Sequence, residues 1–322
     1  MPRKYLNQCR DGDAVDEVFL MADKQLRANR NADLYLLATL RDKTGTLNGL
    51  MWNVTEESVA DVNSGDFVRV RGKVQMYQGG LQMIMTGIRA ASLNGLDLQD
   101  FHPETDVQVD QLLQQLRSLL ESIDDPWLKR LMECFLNDES LMGDFSKAPA
   151  GIKAHHAYHG GLLEHVVNML QTADRILDLY PSIDRGLLLA GIFLHDLGKI
   201  REMSYDTSFV YTNEGQLLGH MLIAIEILNK KIQQVAEAQQ EPFPEETIWR
   251  LKHMILSHHG EYQFGSPKLP MTPEAIALHY LDNLDAKVHE FSKLINDDPS
   301  AQAHWTPYQP RLERKLFKGN KS

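Results

Sequence analysis

Between Val15 and Ala91 apolar and polar positions alternate with a period of two, the spacing of strands whose alternate side chains face a core. The stretch 67–76 shows this best: Val68, Val70, Val74 and Met76 share one face, while Phe67, Arg69, Arg71, Lys73 and Gln75 share the other. The first face is expected in a core and the second exposed and basic. Tyr77-Gln78-Gly79-Gly80 then turns the chain into 81–86, since glycine supplies the positive φ of tight hairpins. Runs 18–26, 34–41 and 46–52 predict three earlier strands, and 55–62 predicts a short helix between strands three and four. From Asp106 the period changes to 3.6. Leu112, Leu113, Leu116, Leu119, Leu120 and Ile123 form the stripe of a connecting helix, and Asp124-Asp125-Pro126 starts another. Helical periodicity continues near 161–179, 185–198, 215–239, 245–259 and 272–296, so the C-terminal region is predicted to be all-α.

A 322-residue chain with 43% hydrophobic and 24% charged residues suits two folded domains, with three as the alternative, and excludes global disorder. No run approaches about 18 apolar residues and the N-terminus has no signal-peptide core, so a cytoplasmic protein without a membrane partner is expected. Cys9 and Cys134 are too few for a disulfide framework or a cysteine-held zinc, which leaves His and carboxylate as metal ligands. The net charge of −11 argues against coating nucleic acid by bulk electrostatics. The first 100 residues hold 12 Lys and Arg against 13 Asp and Glu, so the acidic excess lies further on, where it suits a site for cations. The last stretch, YQPRLERKLFKGNKS, reverses the sign and reads as a solvated basic tail, with a strand-contacting arm as the alternative.

Five strands with a helix between the third and fourth, together with YLLATLRDKTGTLNGLMWNV, resemble the nucleic-acid-binding OB-fold family. That resemblance implies single-strand binding by a basic groove with aromatic platforms. The candidates are Arg69, Arg71 and Lys73 for phosphates, and Tyr35, Trp52, Phe67 or Tyr77 for bases. A solvated charged sheet face with core aromatics is the competing reading.

Histidines are the informative residues of the second region. His165 shares a helix face with Leu162, Met169, Ala173 and Ile176, so its imidazole is expected to point inward. His195-Asp196 ends an apolar run and Lys199 follows within a turn; then come Gly219-His220, Ser257-His258-His259-Gly260 and Leu281-Asp282-Asn283-Leu284-Asp285. In this order the motifs resemble the HD phosphohydrolase superfamily, over about 147–297. The resemblance implies that His165, His195, Asp196 and Asp282 hold a first metal, that His220, His258 and also His259 add ligands for a second, and that Lys199 is the phosphate-side lysine. Asp196 is the expected bridge, because two neighbouring cations repel and a carboxylate between them offsets the repulsion. Asp282 fits the last ligand better than Asp285, without excluding it. Lys153, His156 and His159, with His155 and Tyr158, lie in AGIKAHHAYHGG, a stretch placed to close over substrate, and are substrate-binding candidates against a plain surface loop. His253, His279 and His289 are read as structural.

An OB-fold ahead of an HD domain, with KAPAGIKAHHAYHGGLLEHV, FLHDLGK, LGHM and LSHHGEY, resembles the YhaM family of bacterial exoribonucleases over nearly the whole chain. It is also similar to the HD domain of ribonuclease Y, whereas Gly260-Glu261-Tyr262 departs from the Gly-Tyr-Pro signature of HD-GYP phosphodiesterases. The residues imply metal-assisted phosphodiester hydrolysis without a covalent protein nucleophile, Asp196 and Lys199 being the catalytic pair. The YhaM resemblance adds 3′-5′ release of nucleoside 5′-monophosphates from single-stranded RNA, with DNA as a further substrate. A nitrogen-rich site favours two manganese ions, with cobalt, iron or magnesium as alternatives. The expected architecture is multidomain α and β: a five-stranded OB-fold barrel at 12–92, a helical linker at 93–146, an all-α HD bundle at 147–300 and the basic tail at 301–322. The rival functions are a nucleotide phosphohydrolase and a nucleic-acid-binding regulator without catalysis. Oligomeric state is left open, a homo-oligomer included.

Overall fold

The computed structural model describes residues 3–29, 31–77, 80–92, 96–101, 108–151, 156, 158–204, 210–298 and 303–319. It separates into two units, one of Met1–Glu104 with Ser292–Ser322, the other built from Thr105–Tyr205 and Val210–Phe291.

Five strands build the first unit: β1 (Ala14–Ala28), β2 (Leu34–Asp42), β3 (Gly45–Met51), β4 (Phe67–Tyr77) and β5 (Gly80–Ala90). Alternate residues point to one side, and Phe19, Met21, Leu36, Leu40, Val68, Val70 and Val74 meet there in a buried core. Antiparallel pairs β1–β2, β1–β4, β2–β3 and β4–β5 close through a parallel β3–β5 pair, giving the order β1-β2-β3-β5-β4. Strand β1 serves two partners: Ala14–Leu20 pairs with β4, and Leu20–Ala28 pairs with β2 across a register shift between Met21 and Asp23. This is the closed five-stranded OB-type barrel that the resemblance implies, built from the strands that the alternation predicts.

Three local expectations are corrected. The segment expected as a helix before β4 is one 3₁₀ turn, Glu57–Val59, whose Val59 joins Val54 and Val62 in the barrel core. Met76 is 53% exposed instead of inward, because β1 ends opposite Lys73 and leaves the end of β4 paired with β5 alone. The C-terminal segment is not a solvated tail: Thr306, Leu312 and Leu316 are buried, and Lys318 Nζ lies 2.5 Å from Asp298 Oδ2.

The second unit is helical: α1 (Val109–Glu121), α2 (Pro126–Leu136), α3 (Glu139–Lys147), α4 (Gly161–Ile176), α5 (Arg185–Leu194), the single turn α6 (Lys199–Glu202), α7 (Asn213–Gln239), α8 (Glu245–Ser257) and α9 (Pro273–Asn296). Two-residue strands β6 (Met203–Ser204) and β7 (Val210–Tyr211) pair between α6 and α7. The helices expected as a linker pack in this unit, α1 on α4 with Leu116 and Leu120 fully buried, and α2 on α7. Helix α5 is apolar on every side from Leu187 to Leu194 and is buried throughout, so it delivers whatever follows it into the interior. No helix among the described residues is long and apolar enough to cross a membrane.

Helix α2 starts as its sequence dictates. Asp125 caps it by accepting from the backbone N–H of Trp127 and Leu128, and Pro126 occupies the first turn, where an N–H is not needed. Asp125→Ala is expected to destabilise the protein by about 1 kcal/mol, seen as a lowered thermal midpoint by circular dichroism; an unchanged midpoint would remove the cap from the account.

Candidate metal centre

Five separate elements bring His and Asp to one place in the helical unit. Helix α4 buries Leu162, Leu163, Val166 and Val167 around His165, which is itself fully buried. His195 caps the C-terminus of α5 and Asp196 follows it, 0% and 2% exposed. His258 occupies the same position at the end of α8 and is 1% exposed. His220 comes from a break in α7, where Gly219 adopts φ 72° and ψ 159° and interrupts the helix. That conformation is glycine's domain, and the break frees the His220 N–H from a helical partner. A second glycine makes the approach possible: a Cβ at Gly198 would lie 2.0 Å from the His220 carbonyl oxygen. Helix α9 supplies Asp282 and Asp285.

Each ring is oriented through its Nδ1. Backbone carbonyls only accept, so His195 and His258 donate Nδ1–H to Ile192 and Ile255, both at 2.7 Å, and His259 donates to Phe264 at 2.8 Å. His165 Nδ1 lies 2.7 Å from Asp285 Oδ2, and His220 Nδ1 lies 3.0 Å from Glu202 Oε1, which also accepts the freed His220 backbone N–H at 3.0 Å. The Nε2 atoms are thereby committed to the interior.

Those atoms divide around one carboxylate. Asp196 Oδ2 is 3.3 Å from His195 Nε2 and 3.9 Å from His165 Nε2, whereas Oδ1 is 3.5 Å from His220 Nε2 and 3.7 Å from His258 Nε2. Asp282 Oδ1 joins the first set at 3.4 Å from His165 Nε2. His165, His195 and Asp282 form one group able to hold an ion, and His220, His258 and His259 form another. Such separations exceed hydrogen bonds but suit donors that share a cation at about 2.0–2.2 Å from each. His195 Nε2, Asp196 Oδ1 and His220 Nε2 are buried without a hydrogen-bond partner, which is the condition of ligand atoms awaiting a cation. The residues therefore fit divalent metal on both sides of Asp196.

Electrostatics agree with that fit. Burial alone would raise Asp196, but Lys199, whose Nζ is 2.6 Å from Oδ2, and the His195 and His220 rings hold it well below the usual carboxylate range. Burial pushes His258 far down and His259 down, so both are neutral and need release no proton to bind a cation. For His165 burial acts downward, and the Asp282 and Asp285 carboxylates outweigh it and lift the ring to about 9. Lys199 also donates to the Ala150 carbonyl at 2.6 Å, and a cavity of about 350 Å³ opens beside Asp196, Lys199, His258, His259 and Asp282.

The predicted substrate loop is redistributed. His156 is 1% exposed, and its Nε2 lies 2.9 Å from Asp285 Oδ2, the oxygen that also meets His165 Nδ1. His159 Nδ1 lies 3.2 Å from the Lys147 carbonyl at the end of α3. Lys153 and His155 lie outside the described residues. The choice between Asp282 and Asp285 resolves by face: Asp282 meets the Nε2 side of His165 and Asp285 the Nδ1 side. Sequence reasoning missed Glu202, whose only signal is the glycine before His220, and His279, which lines the cavity and donates Nδ1–H to the His258 carbonyl at 2.9 Å.

On the barrel the predicted binding residues part. Arg69 and Arg71 are exposed but both grip Asp16, at 2.6 and 2.7 Å, so one carboxylate offsets much of their charge. Lys73 is exposed on the same strand. Tyr35 on β2 and the exposed Trp52 just after β3 form a ring pair at 5.2 Å, on strands that do not pair with β4. Phe67 is corrected: it is 6% exposed and packs edge-on against Phe101 at 4.8 Å, so no base can stack on it there.

Two family patterns match the chain, the HD domain over residues 162–287 and the OB-fold nucleic acid binding domain over 22–91. A 3′-5′ exoribonuclease YhaM from Shouchella clausii is 36% identical over 295 residues, 91% of this chain and 89% of that protein. Its counterpart from Bacillus velezensis is 36% identical over 86% of each chain. The chain belongs to the YhaM family. In this YhaM-family chain the HD match encloses every His and Asp of the centre.

Asp285 meets the far side of His165 and the His156 ring. Asp285→Asn is expected to weaken Mn²⁺ binding about 10- to 100-fold by equilibrium dialysis, because the ring loses its anionic anchor. Unaltered affinity would show that His165 is held by packing alone.

Proposed function

We propose that the chain is a metal-dependent 3′-5′ exoribonuclease acting on single-stranded RNA, with single-stranded DNA as a further substrate and nucleoside 5′-monophosphates as products. One observation carries the reading: the two oxygens of Asp196 face separate imidazole pairs, in a chain 36% identical over most of its length to named exoribonucleases. His165, His195, Asp196 and Asp282 would hold one cation, and Asp196, His220, His258 and His259 the other. Two divalent cations held there supply Lewis-acid polarisation of a phosphoryl oxygen and lower the pKa of water. Asp196 keeps the two sides together, and its low proton affinity keeps it an anion. The Lys199 ammonium stands at the cavity, where it offsets charge on a phosphoryl oxygen. The nitrogen-rich donor set favours manganese over magnesium, which prefers all-oxygen surroundings.

On the barrel, Tyr35 with Trp52 offers a stacking pair, and Arg69, Arg71 and Lys73 offer phosphate contacts. The nuclease reading supports a cytoplasmic enzyme, and assembly into a homo-oligomer is compatible with the exposed apolar residues of α9.

The deciding experiment is RNA labelled at either end, incubated with Mn²⁺, Co²⁺, Fe²⁺ or Mg²⁺. Progressive shortening from the 3′ end with Mn²⁺ is expected; degradation of free nucleotides alone would favour a nucleotide phosphohydrolase. Asp196→Ala is expected to abolish hydrolysis while strand binding persists, and full activity in that variant would remove the two-cation reading. Arg69→Ala with Arg71→Ala is expected to weaken long-strand binding by less than about tenfold, read by fluorescence anisotropy, because Asp16 already offsets both charges.

A further inference from the structure

The C-terminal segment folds into a short irregular hairpin. Trp305 and Phe317 form an antiparallel bridge, Gln309 and Arg314 form a second, and Thr306 N–H donates to the Leu316 carbonyl at 2.9 Å. Leu316 N–H in turn donates to Thr306 Oγ1 at 3.0 Å, and Lys318 N–H to the His304 carbonyl at 2.8 Å. Thr306, Leu312 and Leu316 face inward and are 2%, 9% and 4% exposed. Side chains alternate on extended backbone, so Trp305, Lys315 and Phe317 are left on the other face. Lys318 anchors the end of the hairpin on Asp298, both side chains being 2% exposed.

The outward face is unusual for a folded surface. Trp305 is 53% and Phe317 60% exposed, their ring centroids lie 5.0 Å apart at 54°, and Tyr308 nearby is 55% exposed. Arg314 and Lys315 are exposed in the same segment, and Glu313 is the one acidic residue of 303–319, in a chain whose net charge is −11. Large exposed rings on a hydrogen-bonded hairpin, beside cations, match a strand whose bases stack while its phosphates need countercharge.

We propose that this hairpin is a second contact surface for single-stranded nucleic acid, with Trp305 and Phe317 stacking bases and Lys315 meeting phosphate. It rests on the exoribonuclease reading and adds a place on the chain where substrate is held.

The test uses the full chain with its divalent cations and a labelled oligouridine of roughly 20 nucleotides, protected by phosphorothioate linkages at its 3′ end. Trp305→Ala with Phe317→Ala is expected to raise the anisotropy Kd about 10- to 100-fold, while Trp305→Phe stays within about threefold of wild type. Lys315→Gln is expected to lower the slope of log affinity against log salt by about 0.7, the value for one single-strand phosphate contact. If the double variant unfolds, the single variants still decide: an unchanged slope in Lys315→Gln, together with wild-type affinity in Trp305→Ala, overturns the proposal. It is also overturned if the double variant binds as wild type, or if its affinity falls only together with a change of mass in solution, which would make the face a contact between copies. Failure of wild type to bind the oligomer at all would instead strike the exoribonuclease reading.

Discussion

A buried carboxylate between two sets of imidazoles is the constraint on which the helical unit is built. Asp196 could not stay ionised in an apolar interior without positive charge close by, and Lys199 is the only cation of the described residues within hydrogen-bond distance of it. An ammonium alone, however, leaves Asp196 Oδ1 and the Nε2 atoms of His195 and His220 without a hydrogen-bond partner among the described residues. Burying polar atoms unsatisfied costs free energy unless something meets them, and divalent cations on both sides of the carboxylate meet that need. The donor atoms are thus arranged for a ligand at some expense to the stability of the chain alone.

The scaffold follows from this demand. A short helix that is apolar on all sides can end in the interior, and α5 does so, leaving His195 and Asp196 where a loop would be solvated. His195 and His258 use one device, a ring at a helix C-terminus bonded to the carbonyl three residues back, so two helices deliver Nε2 in the same tautomer. His220 needs a broken helix, and Glu202 serves both the exposed N–H and the ring at that break. Ring Nδ1 bonds to backbone carbonyls and carboxylates orient the Nε2 donors, which lowers the ordering cost of binding a cation.

In the first unit the barrel core and the outer face obey different rules. Closure demands alternating burial and tolerates many outer residues, so charges and rings on that face reflect other uses. The Asp16 bridge to Arg69 and Arg71 shows that a basic stripe in sequence need not be a basic stripe in charge. The C-terminal hairpin shows the reverse, since a segment rich in Lys and Arg folds once Leu312 and Leu316 find a surface to cover.

Period by itself determined that β1–β5 are strands and that the remainder is helical, while the order of elements and motifs, through its resemblance to the OB-fold and HD families, implied the barrel and that His165, His195, Asp196, His220, His258 and Asp282 belong together. Strand and helix periods are local, and a set of His and Asp at helix ends is legible because few other arrangements use them. Tertiary structure alone decided which atom of each ring faces the centre, that Asp285 and Glu202 act behind rings, that His156 is buried, and that Phe67 lies in a core. Those outcomes depend on contacts between residues far apart in the chain, such as Asp285 with His165 or Phe67 with Phe101, and no local pattern carries the position of a distant partner.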